Sequence, residues 1–246
     1  YRSIFVSDIH LGAKFSQAEA FLDFMKSNES ENLYLVGDII DGWALKRKFR
    51  WNQAHSDVVQ KILRKARKGT RVYFITGNHD EFLRPFLPLS LGNNLEVSNE
   101  EDYYSLDGKR YYIAHGDFFD SVTMTRRWLA IAGDYGYEFL LHLNYVLQFF
   151  RKTLGINRYW SLSRYVKDNV KKSVSFITDF EEILAQHAKH KGYDGIICGH
   201  IHKAETRYID GIEYKNSGDW VESCTALVET MDGEWKIIRW HDDEAD

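Results

Sequence analysis

The chain alternates between short apolar runs that stop on polar side chains and longer stretches with helical spacing. Residues 2–7 form a β-branched and aromatic run ending in Asp8-Ile9-His10. Over 16–26 the apolar residues Phe21, Leu22 and Met25 share one face, which predicts a helix with Ser16 as its N-cap. Leu33-Tyr34-Leu35-Val36 reads as a buried strand closed by Gly37-Asp38. Residues 53–68 predict a helix whose cationic last turn complements the helix dipole and which stops at Gly69. The next strand, 71–76, ends in Gly77-Asn78-His79-Asp80.

A second set of strands follows. Residues 103–106 and 110–114 flank Asp107-Gly108, a strong hairpin signal, and the second of them ends in His115-Gly116-Asp117. Residues 195–198 end in Gly199-His200-Ile201-His202. Short strands are expected near 206–209, 213–216 and 225–229, then over 235–240 after an Asp232-Gly233 turn, leaving 241–246 as a polar tail expected to fray. Strands alternating with helices make this an α/β protein.

Composition changes that picture in one place. The 246 residues carry a net charge of −4, which excludes a wholly basic nucleic-acid binder. Residues 121–176 differ: nine Lys/Arg, among them Arg126 and Arg127, stand against three acids, so this stretch is +6 and the remainder −10. The stretch looks helical throughout and reads as a cap inserted into an acidic core made of 1–120 and 177–246. Within it, residues 137–150 carry two apolar stripes, one of them Tyr137, Leu141, Tyr145 and Phe149. Such a stripe either packs inside a helical subdomain or offers a path for an acyl chain or a face for a membrane interface. The uncharged run 139–150 is too short to span a bilayer. Two cysteines, Cys198 and Cys224, do not make a disulfide framework, and the chain opens directly on a strand with no signal peptide visible, so a reducing, cytoplasmic compartment is expected.

The chemistry lies in five polar clusters at five strand ends: Asp8-x-His10, Asp38-x-x-Asp41, Asn78-His79-Asp80, His115-Gly-Asp117 and His200-x-His202. Loops beyond the carboxyl ends of parallel strands converge even when distant in sequence. Together they offer carboxylate oxygens, an amide oxygen and imidazole nitrogens, a mixture that suits Mn²⁺, Fe or Zn²⁺ better than Ca²⁺ or a cysteine-rich structural zinc. Any one cluster alone is an ordinary surface loop or helix cap. Five in succession, each directly after a strand, are not.

The five clusters resemble the signature of the calcineurin-like binuclear metallophosphoesterases over nearly the whole chain apart from the cap. The resemblance implies a four-layer α-β-β-α sandwich of two mixed sheets. It implies one divalent ion held by Asp8, His10 and His202, and a second held by Asn78, His115 and His200, with Asp38 bridging. Mn²⁺ is the first expectation for both. It further implies a metal-activated hydroxide attacking phosphorus, with Asn78 and His79 near the phosphate, His79 as general acid or charge stabiliser, and Asp41 orienting His79. Asp80 is expected to hold its loop and Asp117 to act from behind the ligands.

Within that superfamily the layout is similar to the bacterial UDP-2,3-diacylglucosamine pyrophosphatases of lipid A synthesis, which carry a helical cap between the same two clusters. That similarity implies a phosphorylated, lipid-bearing substrate. If the stripe of the cap lies in a membrane interface, Arg126, Arg127, Arg151 and Lys152 would meet anionic head groups, which puts the protein at the surface of the inner membrane. Those enzymes usually carry arginine where this chain has His79. An imidazole there favours phosphoester over anhydride hydrolysis, because an alkoxide leaving group gains from a general acid and a phosphate monoester needs little protonation. A phosphoesterase acting on another lipid, nucleotide or protein is therefore the competing expectation. A nuclease and a catalytically silent scaffold are further alternatives.

Overall fold

A computed structural model describes residues 1–119, 177 and 180–240. The chain divides into two compact units, Phe118–Phe180 and a larger one built from Tyr1–Asp117 with Glu181–Asp246. The proposed cap at 121–176, including Arg126, Arg127 and the 137–150 stripes, lies outside the described residues, as does the tail at 241–246.

The larger unit holds two sheets. The first has seven strands: β1 (Ser3–Val6), β2 (Asn32–Val36), β3 (Arg71–Ile75), β4 (Leu89–Ser90), β5 (Leu95–Ser98), β11 (Thr225–Glu229) and β12 (Trp235–Arg239). Their order is β12-β11-β1-β2-β3-β5-β4, with β1, β2, β3 and β5 parallel to one another and the remaining neighbour pairings antiparallel. The second has five: β6 (Glu100–Tyr104), β7 (Arg110–Ala114), β8 (Gly195–Cys198), β9 (Glu205–Ile209) and β10 (Ile212–Asn216), in the order β6-β7-β8-β10-β9. Its three central strands are parallel.

Period-two alternation of the strands supplies both faces of the first sheet. Phe5, Tyr34, Val36 and Ile75 point towards Tyr103, Tyr111, Ile113 and Ile197 of the second sheet, forming the core between them. The aromatic members stack there: the Phe5 and Tyr34 rings lie 4.8 Å apart and Tyr34 and Tyr73 4.6 Å apart. Ile4, Val6, Leu33 and Leu35 point the other way, against α1 (Ala18–Ser27) and α3 (Gln53–Arg67). The outer face of the second sheet is covered by a helix running through 181–190, where Leu184, Ala185 and Ala188 are buried and the His187 ring lies 5.3 Å from that of Tyr112. These are the four expected layers.

Two local features differ from expectation. Helix α1 starts one turn-position later, after Gln17, with no side-chain cap, because the Ser16 hydroxyl donates instead to the Ile9 carbonyl at 2.7 Å. A short helix, α2 (Gly42–Arg47), follows the second cluster and is capped by Asp41, whose Oδ1 accepts from the Ala44 amide at 2.7 Å.

Candidate metal centre

All five clusters leave the carboxyl ends of parallel strands: β1, β2 and β3 in one sheet, β7 and β8 in the other. The loops are cross-braced by backbone. The Asp8 and His10 amides donate to the Gly37 and Asp38 carbonyls at 3.0 and 2.9 Å, and the His200 amide donates to Asp8 Oδ2 at 3.0 Å. The loop after β10 buttresses them: Ser217 Oγ lies 2.8 Å from Ser7 Oγ, Asn216 donates to the Gly199 carbonyl at 2.8 Å, and the Trp220 amide to the Asp8 carbonyl at 3.0 Å.

To aim the side chains inward the backbone turns left-handed. Among the described residues seven non-glycine positions have positive φ, and five of them are Asp8 (54°), His10 (51°), Asp38 (54°), His200 (71°) and His202 (53°). Conformations of this kind persist only where the surroundings enforce them. Glycine is needed where two loops pass closest. A Cβ on Gly77 would lie 2.1 Å from Asp38 Oδ1, and one on Gly37 2.3 Å from the His115 ring.

Three overlapping groups result, Asp8–His10–His202, His10–Asp38–His79 and Asp38–His115–His200, each with ligating atoms within 4.8 Å of one another. Asp38 and His10 each belong to two of them. His115 Nε2 lies 3.2 Å from Asp38 Oδ2, and His202 Nε2 3.1 Å from Asp8 Oδ1. Yet Asp8 Oδ1, His10 Nε2, His115 Nε2 and Asn78 Oδ1 are all buried without a hydrogen-bond partner. Buried polar atoms are nearly always satisfied, so these orphans, three of them in the groups above and the fourth on the loop after β3, fit a cation that accepts electron pairs from oxygen and nitrogen alike.

The opposite ring nitrogens are already committed. His115 Nδ1 donates to the Val36 carbonyl at 2.9 Å, and His10 Nδ1 lies 3.2 Å from Asp41 Oδ2. A histidine that spends Nδ1–H in this way presents the lone pair of Nε2, the usual arrangement behind a metal-ligating imidazole. Asp41 serves a second ring: its Oδ1 lies 2.8 Å from His79 Nδ1. The His79 amide donates to Asp38 Oδ1 at 2.9 Å, and His79 Nε2 lies 3.9 Å from Asp38 Oδ2.

Charge sharpens this design. Burial would raise the Asp8, Asp38 and Asp41 carboxyls, but the facing histidines outweigh it and hold all three well below the usual carboxylate range. Reciprocally, burial would lower His115, but Asp38 and Asp8 push it up to about 10, so a cation taking the Nε2 lone pair would displace a proton. Asp80 differs, because burial and the Asp38 charge push its carboxyl up to about 7. It accepts from the amides of Ile39, Ile40 and Gly77 at 3.1, 2.7 and 3.3 Å, which ties the second cluster to the third. Asp117 turns away towards Arg84, whose Nη2 donates to Asp117 Oδ2 at 2.6 Å.

Two neighbours carry no motif of their own. Trp43, in the first turn of α2, lies with its ring 4.3 Å from that of His79, and its Nε1 donates to Glu81 Oε1 at 3.1 Å. Arg84 is the other. Spacing two residues past Asp41 is the only sequence signal for Trp43, and Arg84 has none.

The sequence matches known proteins over the same region. Several curated relatives bear the name UDP-2,3-diacylglucosamine hydrolase, among them the following three. The Psychromonas ingrahamii protein is 28% identical, with 97% of each chain covered. The Neisseria meningitidis serogroup C protein is 24% identical, with 95% of each covered. The Aliivibrio fischeri protein is 31% identical over 46% of this chain, a match spanning about half (47%) of that relative. Among solved structures, a phosphoesterase from E. coli aligns with a TM-score of 0.47 at 14% identity, covering 96% of this chain and 98% of that one. The profile of the calcineurin-like phosphoesterases matches residues 1–204, which takes in all five clusters, and the chain belongs to that family.

Proposed function

We propose that this protein is a phosphohydrolase working with two divalent cations, one held by Asp8, His10 and His202 and the other by Asn78, His115 and His200, with Asp38 between them. Mn²⁺ is the favoured ion, and Fe or Zn²⁺ fits the same donors. The observation that carries the reading is the set of three overlapping Asp/His groups, joined through His10 and Asp38, with buried, unpartnered ligand atoms on Asp8, His10 and His115. Bound there, a cation pair supplies a clamp for phosphoryl oxygens and a nucleophile available at neutral pH. The chain's own residues do the rest. Asp41 fixes the His79 ring through Nδ1, so that Nε2 faces the cluster and is the atom to hand a proton to a departing oxygen. Asn78 and His79 lie together on the third loop and would meet the phosphate.

The proposed substrate is a nucleotide-diphosphate lipid of the UDP-2,3-diacylglucosamine type, in keeping with the names of those relatives. Arg126 and Arg127 would meet its anionic part or anionic head groups at the inner membrane. Among the described residues no helix is long and apolar enough to cross a membrane. A second reading, hydrolysis of a phosphate ester, is favoured by the Asp41–His79 pair, whose proton matters most for an alkoxide. Protein stripped by chelation and resupplied with Mn²⁺ should regain turnover of UDP-2,3-diacylglucosamine, and simple phosphoesters assayed beside it separate the two readings. No metal uptake, or no turnover of either substrate with Mn²⁺, Fe²⁺ or Zn²⁺, overturns both.

A further inference from the structure

The second set of ligands is drawn from two sheets. Asn78 follows β3 of the first sheet, whereas His115 follows β7 of the second. Their loops are joined by one charged side-chain pair. Arg84, six residues after Asn78, donates from Nη2 to Asp117 Oδ2 at 2.6 Å, and Asp117 lies two residues after His115. The pair is sheltered, with side-chain exposures of 21% and 7%. Arg84 is braced from behind, since its Nε donates to Thr76 Oγ1 at 3.3 Å, and that hydroxyl in turn donates to Asn99 Oδ1 at 2.7 Å. Thus one guanidinium is anchored to the end of β3 on one side and to the histidine loop of the other sheet on the other.

The first set is held differently. Asp8 is tied to the loop of His200 and His202 by the His200 amide at 3.0 Å, and His10 is tied to Asp41 at 3.2 Å. Neither contact involves Arg84 or Asp117. We infer that Arg84 and Asp117 are positioning residues that set the spacing of Asn78 from His115, and through it the affinity of the second cation but not of the first. The inference rests on the two-cation reading.

Outer partners of metal ligands typically change metal affinity by about 10–100-fold when removed. Arg84→Met, which keeps the length of the stem and removes the donors, should weaken the second cation by about that factor and leave the first within about twofold. Asp117→Asn, close in shape and without the charge, should do the same, and the double variant should be no worse than either alone. Calorimetric titration of the stripped full-length protein with Mn²⁺ reads the two affinities. Electron paramagnetic resonance reads pairing, since loss of the coupled signal with retention of an isolated Mn²⁺ signal is the expected signature. Thermal melts of the stripped proteins control for folding, and Arg84→Lys should recover part of the lost affinity. Wild type binding fewer than two ions would overturn the two-cation reading itself. Wild type binding two, with either variant binding both as tightly, or losing both equally, would overturn the positioning role alone.

Discussion

Gly77→Ala tests the crowding at the centre with one added methyl group. Its φ is not in the left-handed region, so the substitution carries no conformational penalty and acts through contact alone. The new Cβ would lie 2.1 Å from Asp38 Oδ1, 2.6 Å from the Asp38 amide nitrogen and 2.8 Å from His115 Cδ2. Rotating the carboxylate relieves only the first of these. The backbone nitrogen stays in the way, so the Asp38 turn must retreat by several tenths of an ångström and its carboxylate by roughly 1 Å. Overpacking of this kind costs about 1–3 kcal/mol of stability, equivalent to roughly 2–4 °C in Tm per kcal/mol for a chain of this size class. A displacement of roughly 1 Å at a reacting group costs about 10²-fold in rate. The variant should therefore fold, melt lower, retain less metal and lose at least that much turnover. Metal analysis, thermal melts and initial rates measure the three effects. Gly192→Ala is the control: its φ is +77° but nothing lies within 4 Å, so it should lose stability while keeping metal and rate. A Gly77→Ala protein with full metal content and wild-type turnover would show that Asp38 and His115 do not need this spacing, and would remove the basis for a bridging Asp38.

Asp38→Ala should lose both ions and all turnover together, and elemental analysis finding two metals per chain in that variant would reject the bridge. His79→Ala should keep its metals and lose turnover, by roughly 10²–10⁴-fold for an alkyl ester and far less for a nitrophenyl ester if Nε2 is a proton donor; a flat dependence on leaving group rejects that role. Away from the centre, Glu213 is buried and accepts from Lys109, from the Tyr111 and Tyr208 hydroxyls at 2.8 and 2.7 Å, and pairs with Lys215 at 2.8 Å. Burial would raise its carboxyl, but these donors bring it down from 4.5 to about 2. A depressed carboxyl stabilises the fold above its unfolded pKa and loses that contribution as pH falls through the folded one. Urea midpoints of stripped protein should thus drop between about pH 5 and 2 in wild type, and less steeply in Glu213→Gln. Equal drops in the two proteins would disprove the assignment.

The main strands were legible because each is an apolar run cut off by glycine or a carboxylate, and the proposed ligands because each follows such a run directly. What escaped depends on contacts that no local pattern encodes. The strand expected over 103–106 instead runs as β6 over Glu100–Tyr104, where the acidic Glu100, Glu101 and Asp102 pair with Ala114, Ile113 and Tyr112. Strand β4 has only two residues, and β5 only two apolar positions, Leu95 and Val97, too few for alternation to register. Helix α2 begins on glycine with no apolar face and owes its start to the Asp41 carboxylate. Ser16 had the right identity for a cap, but a tertiary acceptor, the Ile9 carbonyl, claimed its hydroxyl. Likewise Arg84 and Asp117 stand 33 residues apart, and only the facing of two sheets brings them together.

The left-handed turns at Asp8, His10, Asp38, His200 and His202 also bias which side chains stand there. Apart from glycine, asparagine, aspartate and histidine are the residues enriched in that region, whereas bulky or β-branched residues there are outliers. Glycine has no donor atom. The side chains that suit these positions best are therefore carboxylate, amide and imidazole, although the same chain also holds a cysteine, Cys224, at φ 47°. Descendants of this chain can exchange aspartate, asparagine and histidine among the turns, altering the charge of the centre and its preference among hard and borderline ions. Drift towards a sulfur-ligated centre would give up that backbone preference at every turn it changed, a cost in stability that exchange among the three does not carry.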